Sequence, residues 1–82
     1  SKKNQNDKKA FEMYKKAYDN GDCTIFDCSS AVNLGYFYIV GRGVDKNLIL
    51  GYKYTKEAAE KGASIASKNL ERLCSETPWA CK

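Results

Sequence analysis

The chain has 82 residues, 43% of them hydrophobic, with 14 Lys and Arg against 10 Asp and Glu, a net charge of +4, four cysteines and no histidine. That suffices for one small domain whose core alone gives marginal stability, so additional staples are expected. The lack of histidine excludes a His-based triad, a His metal ligand and an ordinary switch near neutral pH. No apolar run approaches the ~20 residues needed to span a bilayer.

Lys2, Lys3, Lys8, Lys9, Lys15 and Lys16 carry much of the positive excess. Residues 1–5 read as a flexible basic tail and 6–82 as a single domain. The lysines read as solvated charge, with no nucleic-acid partner expected. From Asn6 to Asn20, Phe11, Tyr14 and Tyr18 fall at i, i+3 and i+7, one face of a helix. Asn6 or Asp7 can cap its start, and Gly21 can take the left-handed position that ends it.

The stretch "NLGYFYIVGRGVDKN" (33–47) looks like a strand entering a glycine-rich phosphate loop. A phosphate loop needs Lys-Ser/Thr at fixed spacing after its glycines, and none is present. As a helix over 29–40, Leu34, Phe37 and Tyr38 form an apolar stripe and Gly35 lets a neighbouring helix approach. Gly41 then ends the helix, Gly43 takes a second unusual dihedral, and Val44 tucks back as an apolar plug. The next helix runs from an N-cap at Asn47 to Lys61, with Leu48, Tyr52, Thr55 and Ala59 on one stripe and Gly62 closing it. A last helix starts at Ala63 or Ser64 with Ile65, Ala66, Leu70 and Leu73 apolar, and Pro78 forbids its continuation.

These segments repeat. Asn33-Leu34 corresponds to Asn69-Leu70, an offset of 36 residues, while "AFEMYKKAYDNGD" (10–22) lines up with "GYKYTKEAAEKGA" (51–63) at an offset of 41. A period in the mid-thirties with two helices per unit indicates an α-solenoid. The five extra residues lie between Gly21 and Asn33, an interval that holds "CTIFDC".

Cys23 and Cys28 bracket that insertion, and Cys74 and Cys81 bracket "SETPWA". An even count in a small domain favours disulfides formed in an oxidising compartment. Of three connectivities the local one, Cys23 with Cys28 and Cys74 with Cys81, is preferred, the second folding Trp79 back over the last helix as a cap. Zinc fits less well, because neither spacing matches the usual short Cys-x-x-Cys pairs. No metal or cofactor is expected.

Leu34-Gly35, Tyr38, Gly41, Gly43-Val44, Asn47, Ala58-Ala59, Gly62, Ala66 and Leu70 resemble the pattern of the Sel-1-like repeat family, a relative of the tetratricopeptide repeat. The resemblance covers about residues 30–73. It departs at Ser30 and at Gly51, each standing where the family has alanine, and Gly51 should cost about 1 kcal/mol of helix stability. The resemblance implies an all-α fold: a short α/α superhelix, a solenoid of about four antiparallel helices, here stapled by disulfides.

Such proteins generally act as interaction adaptors, so the resemblance implies a non-catalytic module binding another protein, a toxin or an envelope protein. The chain is expected to be monomeric or partner-bound, and periplasmic or secreted in a bacterial envelope. Small exported relatives resemble immunity proteins that block phospholipase toxins of type VI secretion. The alternative is the penicillin-binding or weak β-lactamase-like activity attributed to cysteine-rich relatives, but the Ser-x-x-Lys signature is incomplete in "SSAV" and "SIAS". Ser29, Ser30, Ser64 and Ser67 have no histidine to activate them. Residues off the core stripes are the binding candidates: Asn33, Tyr36 and Arg42 early in the repeat, Lys68 and Arg72 on the last helix, and Phe26 in the inserted loop. Tyr and Arg are the types that most often anchor interfaces.

Overall fold

Glycine and asparagine set the helix boundaries. A computed structural model describes residues 2–81, with side chains for residues 5–81. Four α-helices follow one another, α1 (Lys2–Asp19), α2 (Ser29–Val40), α3 (Leu48–Glu60) and α4 (Ser64–Glu76), and a 3₁₀ turn (Pro78–Cys81) closes the described chain. α1 starts before the expected Asn6: residues 2–5, read as a basic tail, continue its first turn, since no Gly or Pro interrupts good helix formers such as Lys and Gln. Gly41 ends α2 in the left-handed conformation, its N–H donating to Phe37 O at 2.8 Å. Asn47 begins α3: its Oδ1 accepts from Leu50 N–H at 3.0 Å, while its own N–H donates to Tyr38 O at 2.8 Å and ties the start of α3 to α2.

The helices stack in sequence order. α2 packs on α1 and most extensively on α3, α3 packs on α4, and α2 barely touches α4. Cys28, Ala31 and Leu34, with Tyr54, Ala58 and Ala66, form the buried core. The α2–α3 crossing is close because Gly35 faces Gly51. A Cβ on Gly35 would overlap Thr55 Oγ1 and stand 3.1 Å from Thr55 N and 3.2 Å from Gly51 O. That crossing corrects the expected stripe of α3. Gly51, Tyr54, Thr55 and Ala58 are buried, while Leu48, Tyr52 and Ala59 are only half-buried. Bringing the two glycines together turns the helix about its axis, so the smallest residues meet α2.

α1 docks through aromatic rings. Phe11 meets Tyr38 edge-on at 5.4 Å, Tyr14 meets Phe37 at 5.8 Å, and Tyr18 meets Tyr54 at 5.0 Å, pairs worth about 0.5–1.5 kcal/mol each beyond their burial. The α2–α3 turn also presses on α1. A Cβ on Gly43, which has φ +66, would fall on the Asp7–Lys8 peptide.

Both disulfides take the local pairing, Cys23 to Cys28 and Cys74 to Cys81. The second folds the chain back after Thr77, whose Oγ donates to Leu73 O at 2.8 Å. Ala80 rather than Trp79 then becomes the buried residue; Trp79 stays 58% exposed and does not cap the last helix. Ile65, expected in the core, is 63% exposed. Only Ala66 and Leu73, seven residues apart, turn fully inward from α4, and Ile65 lies beside that face.

Candidate interaction groove

Because α2 and α4 both lean on α3 and hardly touch each other, a groove opens between them. Its larger part, about 690 Å³, is lined chiefly by Phe26, Val32, Asn33, Tyr36, Ile65 and Asn69. A smaller hollow of about 310 Å³ shares Tyr36 and Asn69 and continues past Val40 to Arg72 and Glu76. Asn33 and Asn69, equivalent residues of successive repeats, thus stand in one groove. Its lining is open and mixed: Ile25, Phe26, Tyr36, Val40 and Ile65 are all exposed and stand among polar residues such as Asn33, Lys61, Ser64 and Asn69.

Four candidate residues come together here: Phe26, Asn33, Tyr36 and Arg72. Two do not. Arg42 reaches back to α1 and pairs with Asp7 at 3.4 Å, so its charge is engaged at the α2–α3 turn. Lys68 is exposed on α4 and lines neither hollow. Arg72 pairs with Glu76 one turn on, at 3.4 Å. Asn33 Nδ2 donates to Ser29 O at 2.8 Å and, among the described residues, its Oδ1 has no partner. Sequence reasoning missed Ile25, Ile65 and Val40. Ile25 was signalled by lying beside Phe26 between two cysteines, whereas Ile65 was masked by its place in an apolar helix.

The inserted loop forms one end of the groove, and several contacts fix it. Thr24 N–H donates to Asp27 O at 3.0 Å, and Thr24 Oγ1 accepts from the N–H groups of Phe26 and Asp27, each at 3.2 Å. Lys61 Nζ donates to Cys23 O at 3.2 Å and lies 3.8 Å from Glu57. Glu57 in turn accepts from Tyr18 Oη at 2.5 Å, so α1, α3 and the loop are joined. That hydrogen bond, with burial second, pushes the Tyr18 phenol up to about 12.

Asp27 Oδ1 accepts from Ser29 N–H at 3.0 Å and from Ser29 Oγ at 2.8 Å, which starts α2 and holds the carboxyl below its usual range. Among the described residues no cluster of three His, Cys, Asp or Glu gathers as a metal site. None of the described helices is long and apolar enough to cross a membrane.

The sequence model described as Sel1 repeat matches residues 2–22 and 28–62. The unmatched interval between them, 23–27, is the inserted loop. No curated protein and no solved structure matches the chain.

Proposed function

The chain belongs to the Sel1 repeat family, whose repeats are generally protein–protein interaction modules, and from that premise we propose that it holds a protein partner in the α2–α4 groove, without catalysis, in an oxidising compartment. The observation that carries this is the set of exposed apolar side chains along the groove, Phe26, Ile65, Tyr36 and Val40, on a fold that draws Phe11, Tyr14 and Tyr18 of α1 into ring contacts with α2 and α3. Two disulfides in one small domain support a periplasmic or secreted location. The narrower role, an immunity protein that blocks a phospholipase toxin of type VI secretion, rests on the resemblance to exported relatives.

A photo-crosslinking amino acid at position 65, in the groove, tests the reading in the cells that make the protein. A discrete adduct with one protein is expected, and none from the same group at position 56 on the exposed side of α3. Equal labelling from both positions would overturn it. An adduct with a phospholipase supports the immunity role; an adduct with an envelope protein replaces it by an adaptor role.

A further inference from the structure

The five-residue insertion places two large apolar side chains where the fold gains nothing from them. Ile25 is 72% and Phe26 91% exposed at the tip of the loop, and the family pattern skips this interval. A loop that only closed the gap between α1 and α2 would carry polar turn residues there. This one is also held rigid by the Cys23–Cys28 disulfide, the Thr24 turn and the Lys61 tie. An anchor fixed in advance loses little conformational entropy when it binds. The tip is continuous with the apolar groove lining at Val32 and Ile65.

Two charged side chains line this end of the groove, Asp27 and Lys61. The Lys61 ammonium is engaged by Cys23 O and Glu57. Both hydrogen bonds to Asp27 fall on Oδ1, and among the described residues Oδ2 takes no partner. An ionised carboxylate beside an apolar tip repels an anionic lipid surface and attracts a basic side chain.

We propose that the Cys23–Cys28 loop is the recognition finger of the groove, and that it selects a polypeptide segment in which a large apolar side chain stands next to a Lys or Arg. The apolar side chain packs among Phe26, Ile25 and Ile65, and the basic group meets Asp27. This rests on the protein-binding reading above and sharpens it to one class of partner sequence.

A phage-displayed random peptide library panned on the oxidised full chain tests it. Enriched peptides should pair an aromatic or large aliphatic residue with an adjacent Lys or Arg. Phe26→Ser should weaken them by about tenfold or more, as loss of an anchor does. Asp27→Asn, whose side-chain oxygen can still accept from Ser29, should weaken them less and reduce the salt dependence of binding. Circular dichroism should show unchanged melting for Phe26→Ser, whose side chain is 91% exposed, and only a small fall for Asp27→Asn, which keeps an acceptor for Ser29 but loses its charge. Replacing Cys23 and Cys28 by Ser should weaken binding as well, by loosening the loop. Peptides that respond to Tyr36→Ala but not to Phe26→Ser would overturn the finger and leave the groove standing. An acidic consensus would overturn the charge assignment. No enrichment, or binding indifferent to both substitutions, would overturn finger and groove together. Phe26-dependent sedimentation with phosphatidylglycerol–phosphatidylethanolamine vesicles would overturn the polypeptide partner in favour of a bilayer.

Discussion

Replacing Gly35 by Ala tests whether the α2–α3 crossing governs this fold. By helix propensity alone the change should stabilise α2 by about 1 kcal/mol. The structure predicts the opposite. The new Cβ would overlap Thr55 Oγ1 and stand 3.1 Å from Thr55 N and 3.2 Å from Gly51 O, and two of these three atoms are backbone that cannot rotate away. Relief requires α2 and α3 to separate, which loosens Ala31, Leu34, Tyr54 and Ala58 in the shared core. Overpacking of this kind costs about 1–3 kcal/mol, and an unyielding backbone puts it near the upper end. After the propensity gain the net loss is about 2 kcal/mol, a fall in Tm of about 8–16 °C for a domain of this size. Gly51→Ala is the control. Its Cβ would meet Ile39 Cγ1 at 2.6 Å, on a half-buried side chain, and Gly35 O and Ile39 N each at 3.3 Å; every contact is looser than its counterpart at Gly35, so its loss should be smaller. Thermal melts followed by circular dichroism compare the two, and a Gly35→Ala protein as stable as the parent would refute the reasoning.

Among the described residues Thr55 Oγ1 is buried without a hydrogen-bond partner, so Thr55→Val, which keeps the β-branched shape, should stabilise by about 1 kcal/mol in urea titrations; destabilisation would mean the hydroxyl is satisfied. Tyr18 is held at about 12, above its ordinary 10.0, by the bond it donates to Glu57. A raised folded-state pKa gives stability that is complete below pH 10 and lost as pH climbs from 10 towards 12. In an ultraviolet titration of the folded protein, Tyr18→Phe should remove a late-ionising phenol; an unchanged curve would contradict the contact. Intact mass should rise on reduction by the four hydrogens of two disulfides, and four thiols without reductant would overturn the oxidising-compartment reading. Replacing Cys74 and Cys81 by Ser should cost about 2–3 kcal/mol in the same melts.

The glycine spacing of 33–47 made α2, its turn and the start of α3 legible, because Gly41 and Asn47 act on their immediate neighbours. The local disulfide pairing was legible for the same reason, each pair closing a short turn. What the pattern could not carry was set by distant partners. The rotation of α3 follows from Gly35 meeting Gly51, and no stripe within residues 48–60 records it. Arg42 looked free until the fold brought Asp7 beside it, and Lys68, one turn before Arg72 on the same side of α4, lines neither hollow. Ile65 fitted the apolar series of α4, yet α4 packs on α3 and on the 3₁₀ turn and barely on α2, so the side that carries Ile65 stays open. Of the groove, the sequence supplied Phe26, Asn33, Tyr36 and Arg72, while the lining completed by Ile25, Ile65 and Val40 depended on how α2 and α4 lean on α3.

That shared support has a mechanical consequence. The two walls of the groove have almost no direct contact, so their separation is set by the angle at which α4, with the 3₁₀ turn bonded to it, rests on α3. Small rocking of α4 changes the groove's width while leaving the tightly crossed α2–α3 pair undisturbed. Width is therefore the compliant coordinate of this molecule, and the Gly35–Gly51 crossing is the stiff one. A ligand that fills the groove works against the soft element and leaves the stiff one as its frame, and hydrogen exchange on binding should slow in α4 far more than in α2 or α3.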